Sequence, residues 1–147
     1  MEVYTIGFTK RSASDFFGVL ERARIGLLVD VRLHNVSQLA GYSKRDDLTY
    51  FLARIVGSSY EHRLDLAPTA EMLDAYFKKH ISWQEYEKRF LGLMAERRIE
   101  TKVDLGAWTG RPTVLLCSET TAERCHRRLV VDYLRATIAP DLQMVQL

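Results

Sequence analysis

The sequence has little of several things, and each scarcity removes a class of protein. Two cysteines in 147 residues cannot staple a small secreted scaffold, and they fit a reducing compartment where structural disulfides are rare. No signal-peptide pattern precedes them, so the expectation is a cytoplasmic protein. No apolar run approaches the length of a membrane span, so no membrane partner is expected. A net charge of +2 at pH 7 is too small for a general nucleic-acid binder, so any electrostatic argument rests on local clusters. Three prolines and eight glycines, with no repeat or low-complexity stretch, leave no room for a long linker. What remains is 47% hydrophobic and 27% charged residues, the mix of a soluble globular protein. The length predicts one domain over residues 1–147.

The chain reads as alternating strands and helices. Glu2 to Ile6 is a first strand ending at Gly7. Ser12 and Asp15 make a capping box for a helix with Phe16, Leu20 and Ala23 on one face. Leu27 to Val31 is a continuous apolar strand carrying Asp30 near its end, and the βαβ unit makes these strands parallel. Arg32 to Tyr42 reads as irregular and exposed. Ser43 with Asp46 is expected to cap a helix with Leu48, Phe51, Leu52 and Ile55 inward. A short strand follows at Ser59 to His62. Pro68 suits the first turn of a helix with Met72, Leu73, Tyr76 and Phe77. Ser82 and Glu85 open another, with Tyr86, Phe90, Leu93 and Met94 inward. Glu100 to Pro112 reads as a long loop, and Leu142 to Val145 as the last strand.

The most informative stretch is Val114 to Arg128. Val114-Leu115-Leu116 is a buried strand. It breaks at Cys117-Ser118-Glu119, and Thr120 with Glu123 is expected to start a helix bearing Cys125-His126-Arg127-Arg128. The pattern predicts an α/β fold: a single-domain, three-layer, Rossmann-like arrangement with a mostly parallel sheet of about five strands flanked by helices. Right-handed crossovers favour the order 3-2-1-4-5, with the topological switch between strands 1 and 4. Ligands in such sheets sit outside the carboxyl ends of the strands. Gly7-Phe8-Thr9, Asp30-Val31-Arg32 and Cys117-Ser118-Glu119 should therefore share one rim.

Tyr4-Thr5-Ile6-Gly7, Val29-Asp30-Val31-Arg32, and Leu115-Leu116-Cys117-Ser118-Glu119 followed by Cys125-His126-Arg127 resemble the three signatures of domain of unknown function family 488. The likeness spans nearly the whole chain, and the Cys-x-Glu run followed by Cys-His-Arg is its most specific part. It implies a compact α/β domain whose signature residues cluster at one end of the sheet, and it carries no reaction. Two segments depart from the family's pattern. Leu33 to Leu48 stands where a proline- and arginine-rich run is common, and Arg63 to Pro68 replaces a Leu-Gly-Gly turn.

Each chemical candidate has a bland counterpart. Cys117, between a buried strand and a helix start, is a candidate nucleophile or redox thiol, or else a small residue closing the strand. A phosphatase cradle needs an arginine six positions after the cysteine; that position is Glu123, which excludes it. His126 lies at the centre of the arc of Leu129, Val130, Tyr133 and Leu134, so it points at the sheet. A core histidine bonded to a backbone carbonyl is the leading reading, and acid/base work the other. Adjacent helical residues diverge by about 100°, so Cys125 and His126 should not share a metal, and neither a metal nor a cofactor is expected. Arg32, Arg127 and Arg128 are candidate anion binders, helped by the amides after Gly7 and at Thr120-Thr121, and convergence from distant segments favours Arg32 and Arg127. Asp30 is expected to hold Arg32, and Glu119 to hold Arg127.

Taken together, Cys117, Glu119 and His126 are the candidate catalytic groups, and Gly7, Thr9, Asp30, Arg32 and Arg127 the candidate binding groups. The leading function is an enzyme acting on a small phosphate- or carboxylate-bearing substrate, such as a nucleotide or nucleic-acid component. The alternative is a non-catalytic nucleotide- or nucleic-acid-binding module. Lys44, Arg45 and Arg54, with Tyr42 and Tyr50, offer a surface for nucleic acid or are simply a helix's wet face. Trp83 and Trp108 are expected to pack, with Trp108 a candidate lid residue.

Overall fold

The structure, a computed structural model, describes residues 1–36, 40–118 and 124–147. Five strands form one sheet: β1 (Glu2–Gly7), β2 (Leu27–Asp30), β3 (Ser59–His62), β4 (Thr113–Cys117) and β5 (Gln143–Gln146). The six α-helices among the described residues are α1 (Ala13–Arg22), α2 (Arg45–Phe51), α3 (Ala70–Phe77), α4 (Trp83–Glu96), α5 (Leu105–Gly110) and α6 (His126–Thr137). The architecture is the Rossmann-like α/β fold expected from the alternation of elements. No helix is long and apolar enough to cross a membrane among the described residues.

All strand pairings are parallel, in the order β3-β2-β4-β1-β5. The expected order 3-2-1-4-5 is thus wrong in one respect: β4 lies between β2 and β1. The burial explains the exchange. Every residue of β4 is buried, whereas β1 exposes Glu2 and half-exposes Tyr4. The most apolar strand takes the centre, where both faces are covered. The register pairs Gly7 with Cys117 and Asp30 with Leu116, so the ends of β1, β2 and β4 do share one rim. The chain leaves β1 and β4, which are neighbours, toward opposite faces, and the switch between them survives the change of order.

Strand alternation divides the core in two. Val29, Val31 and Leu115 face Phe90, Met94, Leu129 and Leu134 of α4 and α6. Ile6, Leu28, Val114 and Leu116 face Phe16, Phe17 and Leu20 of α1, with Leu48 and Leu52. Ser12 Oγ accepts from the Asp15 amide at 3.1 Å, and Ser82 Oγ from Glu85 at 3.1 Å, so both capping serines act as expected.

Other local expectations fail for identifiable reasons. Lys44, not Ser43, precedes α2, and it makes no side-chain cap. Ser43 is buried and donates to the Ala40 carbonyl at 2.8 Å. Ile55 is exposed because α2 runs into a π-helical turn, Leu52–Val56, which turns it out of the stripe. Thr69 caps α3, accepting from Met72 at 3.2 Å, so Pro68 lies just before the helix rather than in its first turn. The expected loop from Glu100 contains α5, capped by Asp104 at 3.0 Å from the Ala107 amide. Trp108 on α5 is 3% exposed and belongs to the core, so it is no lid.

Candidate functional site

Cys117 is the last residue of β4 and shares a face with Leu115, the side that α4 and α6 cover. It is 5% exposed. The described part of the following helix begins only at His126, with Cys125 as its extended N-cap (φ −139°, ψ 143°). The expected capping box, Thr120 with Glu123, lies outside the described residues, as does Glu119.

His126 enters the sheet face as its place on the wheel predicts. Its Nε2 lies 2.7 Å from the Val31 carbonyl oxygen. A carbonyl only accepts, so Nε2 carries the proton and the neutral ring leaves Nδ1 as an acceptor. That Nδ1 faces sulfur on two sides: Cys117 Sγ at 3.9 Å and Cys125 Sγ at 4.0 Å. Both cysteines are free and buried. The three ligating atoms lie within 4.8 Å of one another. This overturns the divergence of Cys125 and His126. The 100° rule holds between two helical residues, but Cys125 precedes the helix in extended backbone, and its side chain turns back over the ring.

The electrostatics follow the packing. Burial pushes the Cys125 thiol well above its ordinary value, and its hydrogen bond to Cys117 adds to the effect. For His126 burial acts downward, but the charge and hydrogen bond of Cys117 and the Val31 carbonyl outweigh it, so the imidazole titrates above its ordinary value.

Asp30 and Arg32 form a second, structural cluster. Arg32 Nε and Nη2 donate to the two Asp30 oxygens at 2.9 and 2.8 Å, and the Arg32 amide adds a bond at 3.1 Å. Nη2 also reaches the Ser43 carbonyl at 2.7 Å, which is why Ser43 is drawn inside. The Tyr60 hydroxyl donates to Asp30 at 2.5 Å. Asn35 donates to Tyr60 and to His62 Nδ1, both at 3.1 Å, and His62 Nε2 donates to the Arg32 carbonyl at 2.8 Å. Arg32 and Asn35 are therefore buried, against the expectation of an exposed segment. Sequence reasoning missed Asn35, Tyr60 and His62. Alternation along β3 held a signal, since the register places Tyr60 opposite Leu28 and His62 opposite Asp30. Arg32 Nη1 is buried with no hydrogen-bond partner among the described residues.

A cleft of about 220 Å³ opens beside this rim. Cys117, Ser118, Cys125 and His126 line it, with Phe8, Arg32, His34 and Arg124. Tyr76, Trp83 and Tyr86 of α3 and α4 complete the lining with Phe77, Leu73 and Pro68. The helical stripe that read only as core thus also supplies part of the lining. The other binding candidates do not line the cleft. Gly7 is buried at the end of β1. Thr9 donates from both its amide and its hydroxyl to the Ser118 carbonyl, just past the end of β4. Asp30 is enclosed, and Arg127 is 0% exposed. Arg128 pairs with Glu87 and Asp132. Lys44, Arg45 and Arg54 lie elsewhere, with Arg45 bound to Asp46 at 2.9 Å and Arg54 over the Tyr50 ring.

Compared with known proteins, the chain matches the family model described as Domain of unknown function DUF488 over residues 12–134. No curated protein and no solved structure matches it.

Proposed function

The chain belongs to the DUF488 family, and we propose that residues 1–147 act as one cytoplasmic domain whose cleft performs thiol chemistry on a small anionic substrate with a planar group. The observation that carries this reading is the orientation of His126. Its bond to the Val31 carbonyl at 2.7 Å leaves Nδ1 as an acceptor 3.9 Å from Cys117 Sγ. A base within reach of a thiol, itself held by a third group, is the arrangement that activates a nucleophile.

In this reading the Cys117 proton passes to His126 Nδ1. The thiolate forms a bond to an electrophilic substrate carbon. The bond to the leaving group breaks, and His126 returns the proton to that group. Water then attacks the thioester-like intermediate, giving a proton to His126; the carbon–sulfur bond breaks, and His126 returns the proton to the Cys117 sulfur. Tyr76, Trp83 and Tyr86 stack the planar part, which the cleft's modest volume restricts to about one ring; typical ligand pockets run to roughly 300–1,000 Å³. Because Asp30 neutralises Arg32, the anionic part is met by Arg124 and His34, with Arg32 Nη1 as a hydrogen-bond donor. Glu119 keeps its place as an alternative acid.

Iodoacetamide labelling of the native, reduced protein tests the reading. Cys117 is expected to be alkylated before unfolding, and His126→Gln to slow it by about a hundredfold, the low end of general-base contributions. A thiol silent until denaturation, together with salt-sensitive oligonucleotide binding, overturns it in favour of a non-catalytic binding module.

A further inference from the structure

Two thiols and an imidazole meeting at one point do more than activate a nucleophile. We propose that Cys117 Sγ, Cys125 Sγ and His126 Nδ1 form a three-ligand site for a thiophilic divalent cation, with its fourth position opening on the cleft. The inference goes beyond the thiol chemistry above and holds whether or not Cys117 attacks a substrate.

Distance supports it first. Zinc–sulfur bonds near 2.3 Å and zinc–nitrogen bonds near 2.0 Å place sulfur and nitrogen roughly 3.5 Å apart around a tetrahedral ion. The separations from Nδ1 are 3.9 and 4.0 Å, so each sulfur closes by about half an ångström. Orientation supports it independently. Metal-ligating histidines donate their other ring N–H to a carbonyl or carboxylate, which fixes the tautomer. His126 does this through Nε2 to Val31, presenting Nδ1, the atom that faces both sulfurs.

The donor set also discriminates. Two thiolates and one imidazole select zinc and other soft ions over magnesium or calcium. All three residues line the cleft. Three protein ligands with an accessible fourth position is the layout of an open zinc site. A carboxylate or phosphate in the cleft would reach that position. Occupancy engages the Cys117 sulfur, so metal binding and alkylation of Cys117 exclude one another.

Zinc(II) and cobalt(II) are the probes, added to the reduced, metal-stripped full chain. One ion per chain is expected. Cobalt should give a thiolate-to-metal charge-transfer band with intense tetrahedral d–d bands. Cys125→Ser should weaken zinc binding roughly a hundredfold and remove part of the charge-transfer intensity. This is at or beyond the upper end of what loss of an outer-shell partner costs. On the wild type, a saturating zinc concentration should protect both cysteines from iodoacetamide, a measurement independent of how any variant folds. The proposal is overturned if cobalt binds without a charge-transfer band, if zinc fails to slow the alkylation of a cysteine that reacts without it, or if a folded Cys125→Ser binds zinc as the wild type does. A Cys117 that resists alkylation without metal sinks the nucleophile reading alone, since zinc binding is read separately.

Discussion

Asp30→Asn gives the sharpest test of how the rim is held together. The carboxylate is wholly buried and accepts four bonds: three from Arg32, at 2.8 to 3.1 Å, and one from the Tyr60 hydroxyl. Arg32 is itself only 5% exposed. The amide keeps the volume but removes the charge and turns an N–H₂ toward a guanidinium. Breaking a buried pair from one side strands the other charge and costs about 3–5 kcal/mol. At roughly 2–4 °C per kcal/mol for a chain near this size, the Tm should fall by roughly 6–20 °C. The double variant Asp30→Leu/Arg32→Met removes both charges and should recover much of the loss, because apolar replacement of a whole buried pair is often neutral. Recovery will be incomplete, since the Tyr60 hydroxyl and Ser43 carbonyl each lose a partner, at about 1–3 kcal/mol apiece. Circular dichroism melts and urea midpoints at unchanged m value measure both quantities. A Tm drop under about 2 °C for Asp30→Asn, less than ~1 kcal/mol on that scale, would refute the claim that the pair sustains the rim.

Two further predictions follow from geometry elsewhere. Trp83 lines the cleft and Trp108 is buried at 3% exposure, so a nucleoside monophosphate that enters should quench Trp83 fluorescence. Trp83→Phe should abolish the quenching, and quenching that persists in this variant would place the ligand elsewhere. Asp65 titrates below its ordinary 3.8 because Arg63 holds it through two bonds, against an opposing effect of burial. A depressed carboxylate stabilises the fold above its ordinary value and loses that contribution as pH falls through its lowered one. Asp65→Asn should therefore be less stable than wild type at pH 7, with the gap closing below pH 3.8. Urea midpoints across that range decide it, and a gap that stays constant counts against the pairing.

Local chemistry made the elements legible. Alternation marked β1, continuous apolar runs marked β2 and β4, and Ser12 and Ser82 marked their helices because a hydroxyl facing an unpaired amide is a short-range event. The strand order was not legible in this way. Periodicity reports which face of a strand is buried, not which strand lies beside it, and the completeness of burial on β4 emerges only once both faces are covered. Ser43 shows the same limit. Three residues from Asp46 it has the spacing of a cap, yet the Arg32 guanidinium takes its carbonyl, and one charge-assisted bond in the interior outweighs a surface cap. On α5, Gly106 and Gly110 obscured a helix that Asp104 and the burial of Trp108 maintain.

The candidate site was half legible for a related reason. Placing His126 on the inner arc was sound, because α6 begins at that residue and Leu129, Val130, Tyr133 and Leu134 continue its face. Extending the same wheel backward by one residue was not. At a helix start the backbone changes from extended to helical between the cap and the first turn, so the angular rule that separates neighbours stops applying there. Cys125 sits at that change, and the break lets adjacent side chains converge instead of diverging. The consequence is chemical. Both proposed roles start from this boundary: one thiol beside the imidazole would serve as nucleophile with its base, and two thiols around an Nδ1 fixed by a carbonyl would serve as a ligand set.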